Sequence, residues 1–222
     1  TKTLVRAAEV AHLARTAGRF GIGVSDVSVD WPAVRRHVAG VIDTIRGGDA
    51  EQNLRDQGVD VIREHGRLVD GSTVVAGDHR LLGDQLLIAT GARTKVPAIT
   101  GLARAGFLTS ADILDLAALP ASIAILGAGP IGVEYAQILA RLGVAVTLIG
   151  SRDHLLAREE PALREALLEE LRDEDIVWEP ELRISRVTTR RGMKVLQGER
   201  DSEVAEVTAA AILVATGREP NI

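Results

Sequence analysis

The chain has 222 residues, a net charge of −5 and 46% hydrophobic residues, enough to bury the core of one large domain or two small ones. Its basic residues do not concentrate in any block, which argues against nucleic acid as a partner, and no apolar run approaches a membrane span. With no cysteine and five scattered histidines we predict neither disulfides nor a metal site, and a cytoplasmic location is the default.

The first part of the chain predicts helices. Apolar residues at helical spacing predict a helix over residues 1–17. Asp30 and Pro32 are typical of a helix N-terminus, because an aspartate caps free amides and a proline fits the first turn. The helical pattern that follows runs to Gly58, and the glycine pair 47–48 is expected to interrupt it.

Short β-rich runs follow, and then a connection. Residues 59–70, 72–77 and 84–92 predict an antiparallel meander whose final strand, with its apolar sequence, is buried. Proline and glycine residues between 97 and 106 then indicate a connecting segment, which ends in a capped helical turn at 109–114.

Beyond Pro120 the pattern alternates between strand and helix, and it closes with shorter strands and the buried run AAILVATG at 210–217. This order predicts an α/β fold with a Rossmann-like, three-layer NAD(P)-binding domain, in which a parallel sheet is joined by a β-meander. The segments LLIATGAR and ILVATGRE, at 86–93 and 212–219, echo each other. The echo suggests a second, similar nucleotide-binding fold in the first part of the chain.

A glycine-rich turn, Gly127-Ala128-Gly129-Pro130-Ile131-Gly132, lies between a predicted strand and a predicted helix. In that context Gly127 makes the tight turn, Gly129 lets backbone approach a pyrophosphate, and Gly132 lets the helix pack closely on the strand. The pyrophosphate would bind the amides at the helix N-terminus, around Pro130 and Ile131. An ordinary tight turn is the alternative, and the strands on both sides favour a dinucleotide.

The end of the second strand points to NADPH. An acidic residue is typical here of NAD-binding proteins, and this chain has Gly150-Ser151-Arg152 instead. A hydroxyl and a guanidinium can bind the 2′-phosphate of NADPH, and no carboxylate is present to repel it. The alternative is that Arg152 is a solvated loop residue, with Arg158 equally available.

Four segments in the correct order make the whole chain resemble the pyridine nucleotide-disulfide oxidoreductases, and most closely the mercuric reductase-like flavoproteins. They are TKTLVRAAEVA at 1–11, LLIATGARTKVPAITGL at 86–102, GAGPIGVEYAQILARLG at 127–143 and ILVATGREPN at 212–221. The resemblance implies a partial FAD-binding domain at 1–103, re-entered at 217–222, and an NAD(P)-binding domain at 104–216.

The resemblance also implies roles for individual residues. Lys2 matches a lysine near the flavin N5 that pairs with a glutamate near the nicotinamide, and Glu134 matches that glutamate. Without the resemblance, Lys2 is a frayed terminal residue and Glu134 a helix-surface residue. Ala89, Thr90 and Gly91 match the family's turn beside FAD. Gly66 matches, more loosely, a backbone contact to the adenine of FAD, and Gly217 is a further candidate cofactor-binding residue.

The implied function is a flavoprotein oxidoreductase in which NADPH reduces FAD, and FAD then reduces a disulfide or metal-ion acceptor. The family's first FAD motif, redox cysteines and C-terminal dimerisation domain have no counterpart here, so we expect a piece of a longer, homodimeric enzyme. Alone, this piece is expected to lack disulfide reductase activity and to bind FAD poorly. The alternatives are a dihydrolipoamide dehydrogenase, a pyridine nucleotide transhydrogenase and a non-catalytic nucleotide-binding module.

Overall fold

The structure is a computed structural model that describes residues 1–222. The chain divides into two compact units: Thr1–Val38 with Ala92–Glu219, and Ala39–Gly91 with Pro220–Ile222. None of the helices is both long and apolar enough to cross a lipid bilayer. The division into cofactor domains inferred from the sequence stays a prediction.

The secondary structure comprises helices and short strands grouped in four sheets. The α-helices are α1 (Lys2–Thr16), α2 (Trp31–Arg46), α3 (Ala50–Asp56), α4 (Leu102–Ala105), α5 (Pro130–Arg141) and α6 (Pro161–Asp173), with 3₁₀ helices at Ala17–Phe20 and Ile113–Asp115. The strands are β1 (Gly66–Leu68), β2 (Thr73–Ala76), β3 (His79–Leu82), β4 (Ala92–Thr94), β5 (Ser122–Leu126), β6 (Ala145–Ile149), β7 (Val177–Glu179), β8 (Arg183–Arg190), β9 (Met193–Arg200), β10 (Glu203–Ala209), β11 (Ala211–Val214) and β12 (Arg218–Pro220).

The predicted N-terminal helices are confirmed. The Asp30 carboxylate accepts a hydrogen bond of 2.9 Å from the backbone amide of Ala33 and so caps α2. Helix α2 ends at Arg46, directly before Gly47 with its φ of 68°. Helix α3 begins after Asp49, whose carboxylate accepts hydrogen bonds from two amides of its first turn. The glycine pair therefore interrupts the helical run where the sequence indicates.

A parallel four-stranded sheet forms the centre of the larger unit, in the order β11-β5-β6-β7. Strands β11, β5 and β6 are largely apolar and buried, as is usual for parallel strands covered on both faces, whereas the edge strand β7 is partly exposed. Helix α5 connects β5 to β6 and packs against both, and α1 packs on α5. The predicted α/β class with a parallel sheet is confirmed.

The antiparallel meander β10-β9-β8 forms a further layer on this sheet. Ala124 and Leu126 of β5 form one buried cluster with Val187 of β8 and Leu196 of β9. Because successive strand residues point to opposite faces, the meander covers one face of the parallel sheet. The three-layer arrangement predicted for this part of the chain is therefore present.

The predicted buried strand at 84–92 is wrong. The smaller unit does contain an antiparallel meander, but its third strand is β3, at His79–Leu82. The two-residue turn Gly77-Asp78 folds β3 onto one edge of β2, and β1 occupies the other edge, so no edge of β2 is left for another strand. Leu87 is consequently 91% exposed and Ile88 61% exposed.

An ion pair fixes the C-terminal end of α5. The Arg141 guanidinium donates to the Glu174 carboxylate at 2.5 and 2.8 Å, and Gln137 donates to the same carboxylate at 2.9 Å. The Glu174 side chain is 4% exposed. Glu174 raises the pKa of Arg141, against the opposing effect of burial. A buried carboxylate with this many donors ties α5 to the end of α6.

We expect Glu174→Gln to lower the free energy of unfolding by about 3 kcal/mol, because it leaves the largely buried Arg141 charge without its counter-ion. Urea denaturation followed by circular dichroism measures the change. In the matched control, Glu219→Gln removes the exposed partner of Arg93 and is expected to cost less than about 1 kcal/mol. Equal losses in both variants would contradict a special role for Glu174.

Candidate nucleotide-binding site

The turn between β5 and α5 is tightly packed, and two of its glycines are required by space. Gly127 has a φ of 111°, and a Cβ built on it would lie 2.5 Å from the carbonyl oxygen of Ala215. A Cβ on Gly132 would lie 1.8 Å from the carbonyl oxygen of Gly127. Neither position accepts a side chain, so the first turn of α5 lies directly against the end of β5.

Gly129 differs from these two glycines because it faces open space. It is the N-cap residue of α5, and a Cβ built on it would meet no atom within 4 Å. Pro130 occupies the first helical position, where its missing N–H costs nothing. The amides that follow, at the positive end of the helix dipole, are those that bind anions at helix N-termini.

A cleft of about 340 Å³ opens over this turn. Its lining comes from the glycine turn, the segment after β6 and the segment after β11: Gly127, Ala128, Gly129, Pro130, Ile131, Gly150, Ser151, Arg152, His154, Leu156, Ala157, Ala215, Thr216 and Gly217. No aspartate or glutamate lines the cleft. A second cavity of about 360 Å³ shares Gly127, Ser151 and Thr216 with it.

Backbone hydrogen bonds fix the segment after β6. The amide of Gly150 donates to the backbone carbonyl of Glu179 at 3.0 Å, and the carbonyl of Gly150 accepts from the amide of Leu182 at 3.0 Å. The carbonyl of Arg152 accepts from Glu181 at 2.9 Å. These bonds attach the backbone of residues 150–152 to the segment that follows β7, and they leave the exposed side chains of Ser151 and Arg152 for other partners.

Comparison with known proteins agrees with this geometry. The sequence profile described as "Pyridine nucleotide-disulphide oxidoreductase" matches residues 1–222. The chain belongs to the pyridine nucleotide-disulphide oxidoreductase family. The chain combines one parallel sheet with antiparallel sheets.

Relatives of the chain are considerably longer. A mercuric reductase of Bacillus cereus is 30% identical over 99% of this chain and 35% of its own length. A dihydrolipoyl dehydrogenase of Bacillus subtilis is 30% identical over the whole chain and 50% of its own length. The chain thus spans about a third to a half of the length of these relatives.

A solved structure has the same fold. The HOCl-induced flavoprotein disulfide reductase RclA of Escherichia coli superimposes with a TM-score of 0.81 and 26% identity, over 99% of this chain and 46% of its own. Its Cu(II) complex gives a TM-score of 0.82 over 100% of this chain. The predicted resemblance to this oxidoreductase family is confirmed.

Within this family fold, the sequence-predicted dinucleotide residues come together. Seven of them line the cleft, namely Gly127, Gly129, Pro130, Ile131, Ser151, Arg152 and Gly217, and Gly132 lies beneath it as a packing residue. Arg158, the alternative anion partner, is not among the lining residues. The contacts of the predicted residues with a bound nucleotide stay predictions.

Other residues of the lining were not predictable from the sequence. Ala215 and Thr216 lie in the run ILVATG, which was noted only as an echo of an earlier segment. His154, Leu156 and Ala157 carried no recognisable signal, because they enter the cleft through the irregular path of the chain after β6.

The predicted flavin residues are less well defined. Lys2 and Glu134 are both exposed, and neither takes part in any ion pair of the chain. Gly66 lies at the start of β1. Residues 89–91 form an exposed segment outside any strand, and the Thr90 and Gly91 carbonyls accept hydrogen bonds from Asn221. These exposed positions of the chain do not by themselves enclose an FAD molecule. All of these roles stay predictions.

Tyr135, next to Glu134 in α5, is 5% exposed, and its hydroxyl donates to the carbonyl of Ser110 at 2.9 Å. Burial raises the pKa of the Tyr135 phenol, and the negative charge of Glu134 adds to the rise, while a hydrogen bond with Thr1 opposes it. The phenol is therefore neutral at physiological pH and acts as a fixed donor under the first turns of α5.

We expect Gly132→Ala to lower the free energy of unfolding by about 2 kcal/mol or more, because its methyl group overlaps the Gly127 carbonyl. Gly40→Ala is a matched control within a helix, since a Cβ there meets no atom within 4 Å. That substitution should raise the free energy of unfolding by about 0.5–1 kcal/mol, through helix propensity alone. Urea denaturation measures both, and a stabilised Gly132→Ala protein would show that the close approach is wrong.

We further expect the phenol of Tyr135 to ionise above the pKa of about 10 that is usual for tyrosine, because burial raises its pKa. Because the folded-state pKa is raised, its stabilisation is present below the unfolded pKa and is lost as the pH rises through the folded pKa. Tyr135 is the only tyrosine, so the ultraviolet absorbance of phenolate reports it alone. A normal titration would contradict burial, and Tyr135→Phe should abolish the signal.

Proposed function

We propose that the cleft binds NADPH, with the pyrophosphate at the N-terminus of α5 and the 2′-phosphate at Ser151 and Arg152. The observation that carries this proposal is a glycine-built, carboxylate-free cleft at the carboxyl ends of β5 and β6. Clefts at this edge of a parallel sheet are where dinucleotides bind in doubly wound folds.

The size and lining of the cleft support an extended ligand. Two adjoining cavities, of about 340 and 360 Å³, share three lining residues, so the available space continues across the ends of the strands. Each cavity alone is within the roughly 300–1,000 Å³ of small-molecule sites. A dinucleotide consists of two nucleotide halves joined by a pyrophosphate, so two adjoining cavities suit its shape. The open space at Gly129 lies where the backbone would meet that pyrophosphate.

The charge of the lining supports NADPH over NADH. Arg152 makes no ion pair within the chain, and its only titratable neighbour in the lining is His154. His154 is paired with Asp153, which does not line the cleft. A guanidinium beside a serine hydroxyl offers several donors to a phosphate dianion. Nothing in the lining offers the acceptor carboxylate that the 2′-hydroxyl of NADH requires.

We extend the proposal to the reaction. The relatives named mercuric reductase, dihydrolipoyl dehydrogenase and flavoprotein disulfide reductase support an FAD-dependent oxidoreductase that uses NADPH to reduce a disulfide or metal-ion acceptor. FAD, when bound, would supply the flavin redox chemistry of such an enzyme. The residues of this chain would hold and orient NADPH. Glu134 and Lys2 would lie near the nicotinamide and the flavin. A homodimer and a cytoplasmic location also stay predictions.

We expect the chain to bind NADPH more tightly than NADH, and Arg152→Ala to weaken NADPH binding roughly ten- to 100-fold, because charge-assisted hydrogen bonds contribute about 1.5–3 kcal/mol. Binding of NADH should be unchanged. Isothermal titration calorimetry measures both affinities. The matched control is Arg191→Ala, which removes an exposed arginine from the turn between β8 and β9.

Equal affinity for the two nucleotides in the unmodified chain, with no effect of Arg152→Ala, would contradict the proposal. Arg158→Ala tests the alternative anion partner directly. If it weakens NADPH binding while Arg152→Ala does not, the 2′-phosphate is bound by Arg158. NADPH binding without any electron transfer to FAD in the complete protein would favour the non-catalytic nucleotide-binding module.

A further inference from the structure

We propose that Trp178 determines the nucleotide preference of the cleft, because its indole ring occupies the space into which any side chain at position 150 would project. This inference rests on the proposed binding of NADPH. Trp178 is in β7, and its side chain lies outside the lining of the cleft itself. Trp178 acts by excluding a side chain at position 150.

The contact between the two positions is direct. A Cβ built on Gly150 would lie 2.3 Å from Cη2 of Trp178 and 3.0 Å from Cζ3. Gly150 does not have a positive φ, so an ordinary residue could adopt its backbone conformation. The ring alone therefore requires glycine at this position.

The backbones of both partners are fixed, so they cannot move apart. Leu148 of β6 pairs with Trp178 of β7 in the parallel sheet, and the amide of Gly150 donates to the backbone carbonyl of Glu179 at 3.0 Å. Arg200 bonds the Glu179 carboxylate and, at 2.9 Å, the carbonyl of Pro180. A side chain at position 150 would fit only if the indole ring itself rotated away.

Position 150 determines which nucleotide the cleft prefers, because it directly follows β6 and lines the cleft. A carboxylate here would accept a hydrogen bond from the 2′-hydroxyl of NADH and would repel the 2′-phosphate of NADPH. The ring of Trp178 keeps that carboxylate out. The preference thus has two parts, the attraction from Arg152 and the exclusion by Trp178.

The ring borders a further cavity of about 200 Å³, which is lined by charged side chains, including Arg164 and Glu165, and by apolar ones, including Leu155 and Leu168. Rotation into that cavity would place the indole beside charged as well as apolar side chains. A smaller apolar side chain at 178 would instead leave the space beside Gly150 free without such a rotation.

The test compares four forms of the 222-residue chain: the unmodified protein, Gly150→Glu, Trp178→Leu, and the double variant. Calorimetric titrations with NADPH and NADH are made on each. We expect Trp178→Leu to keep the NADPH preference, Gly150→Glu to lose affinity for both nucleotides, and the double variant to prefer NADH by roughly tenfold. Gly150→Glu alone preferring NADH as strongly as the double variant would overturn the proposal.

A stability measurement covers the case in which Gly150→Glu fails to fold. Gly150→Ala should lower the urea midpoint in the presence of Trp178 and should not lower it in the Trp178→Leu background. Gly40→Ala, far from the ring in sequence and unhindered, should have the same effect in both backgrounds. Additive effects of Gly150→Ala and Trp178→Leu would overturn the proposed contact.

The two proposals fail in different ways. If the unmodified chain binds neither nucleotide, the proposed function is wrong, and the coupling between positions 150 and 178 still appears in the urea midpoints. If the chain prefers NADPH and the two substitutions are independent in both measurements, the role of Trp178 is wrong while the NADPH site stands.

Discussion

The cleft depends on one steric constraint, the absence of a side chain at Gly132. A Cβ there would lie 1.8 Å from the Gly127 carbonyl, so only glycine lets α5 begin immediately beyond β5. That position directs the amides of the first helical turn toward the carboxyl ends of the parallel strands. Gly127 imposes the matching constraint on β11, because its own Cβ would overlap the Ala215 carbonyl. Because Gly132 and Gly127 have no side chain, the N-terminus of α5 can lie directly against the ends of β5 and β11.

Backbone and side chains divide the work of the site. The segment at 150–152 is bonded through its main chain to residues 179–182, so its conformation does not depend on the side chains of Ser151 and Arg152. The glycine turn likewise presents amides to the cleft. Main-chain groups therefore determine the shape of the site, and a few exposed side chains determine its charge. A change of nucleotide preference at these side chains does not require a change of fold.

The sequence predicted what local patterns and glycine geometry control. The alternation of strand and helix after Pro120 and the glycine turn were predictable, because periodicity and turn chemistry act over a few residues. The run at 84–92 was not, because an apolar segment forms a buried strand only where a partner edge is free. The contact between Gly150 and Trp178 was also invisible, because it arises from the register of β6 with β7. In the sequence, Gly150 stands only for the absence of a carboxylate, whereas in the structure a Cβ at this position would overlap the indole ring of Trp178.

Because the chain is negatively charged overall, the binding of an anionic nucleotide depends on groups close to its phosphates. With a net charge of −5, the protein as a whole does not attract a polyanionic nucleotide over long distances. Attraction must come from groups within a few ångströms of the phosphates, since salt screens interactions between exposed charges beyond about 8–10 Å. In the proposed nucleotide site those groups would be the amides of α5 and the Arg152 guanidinium, and no carboxylate is present in the lining to oppose them. Recognition therefore depends on the placement of a few atoms, and the glycines and backbone bonds of the fold are what place them.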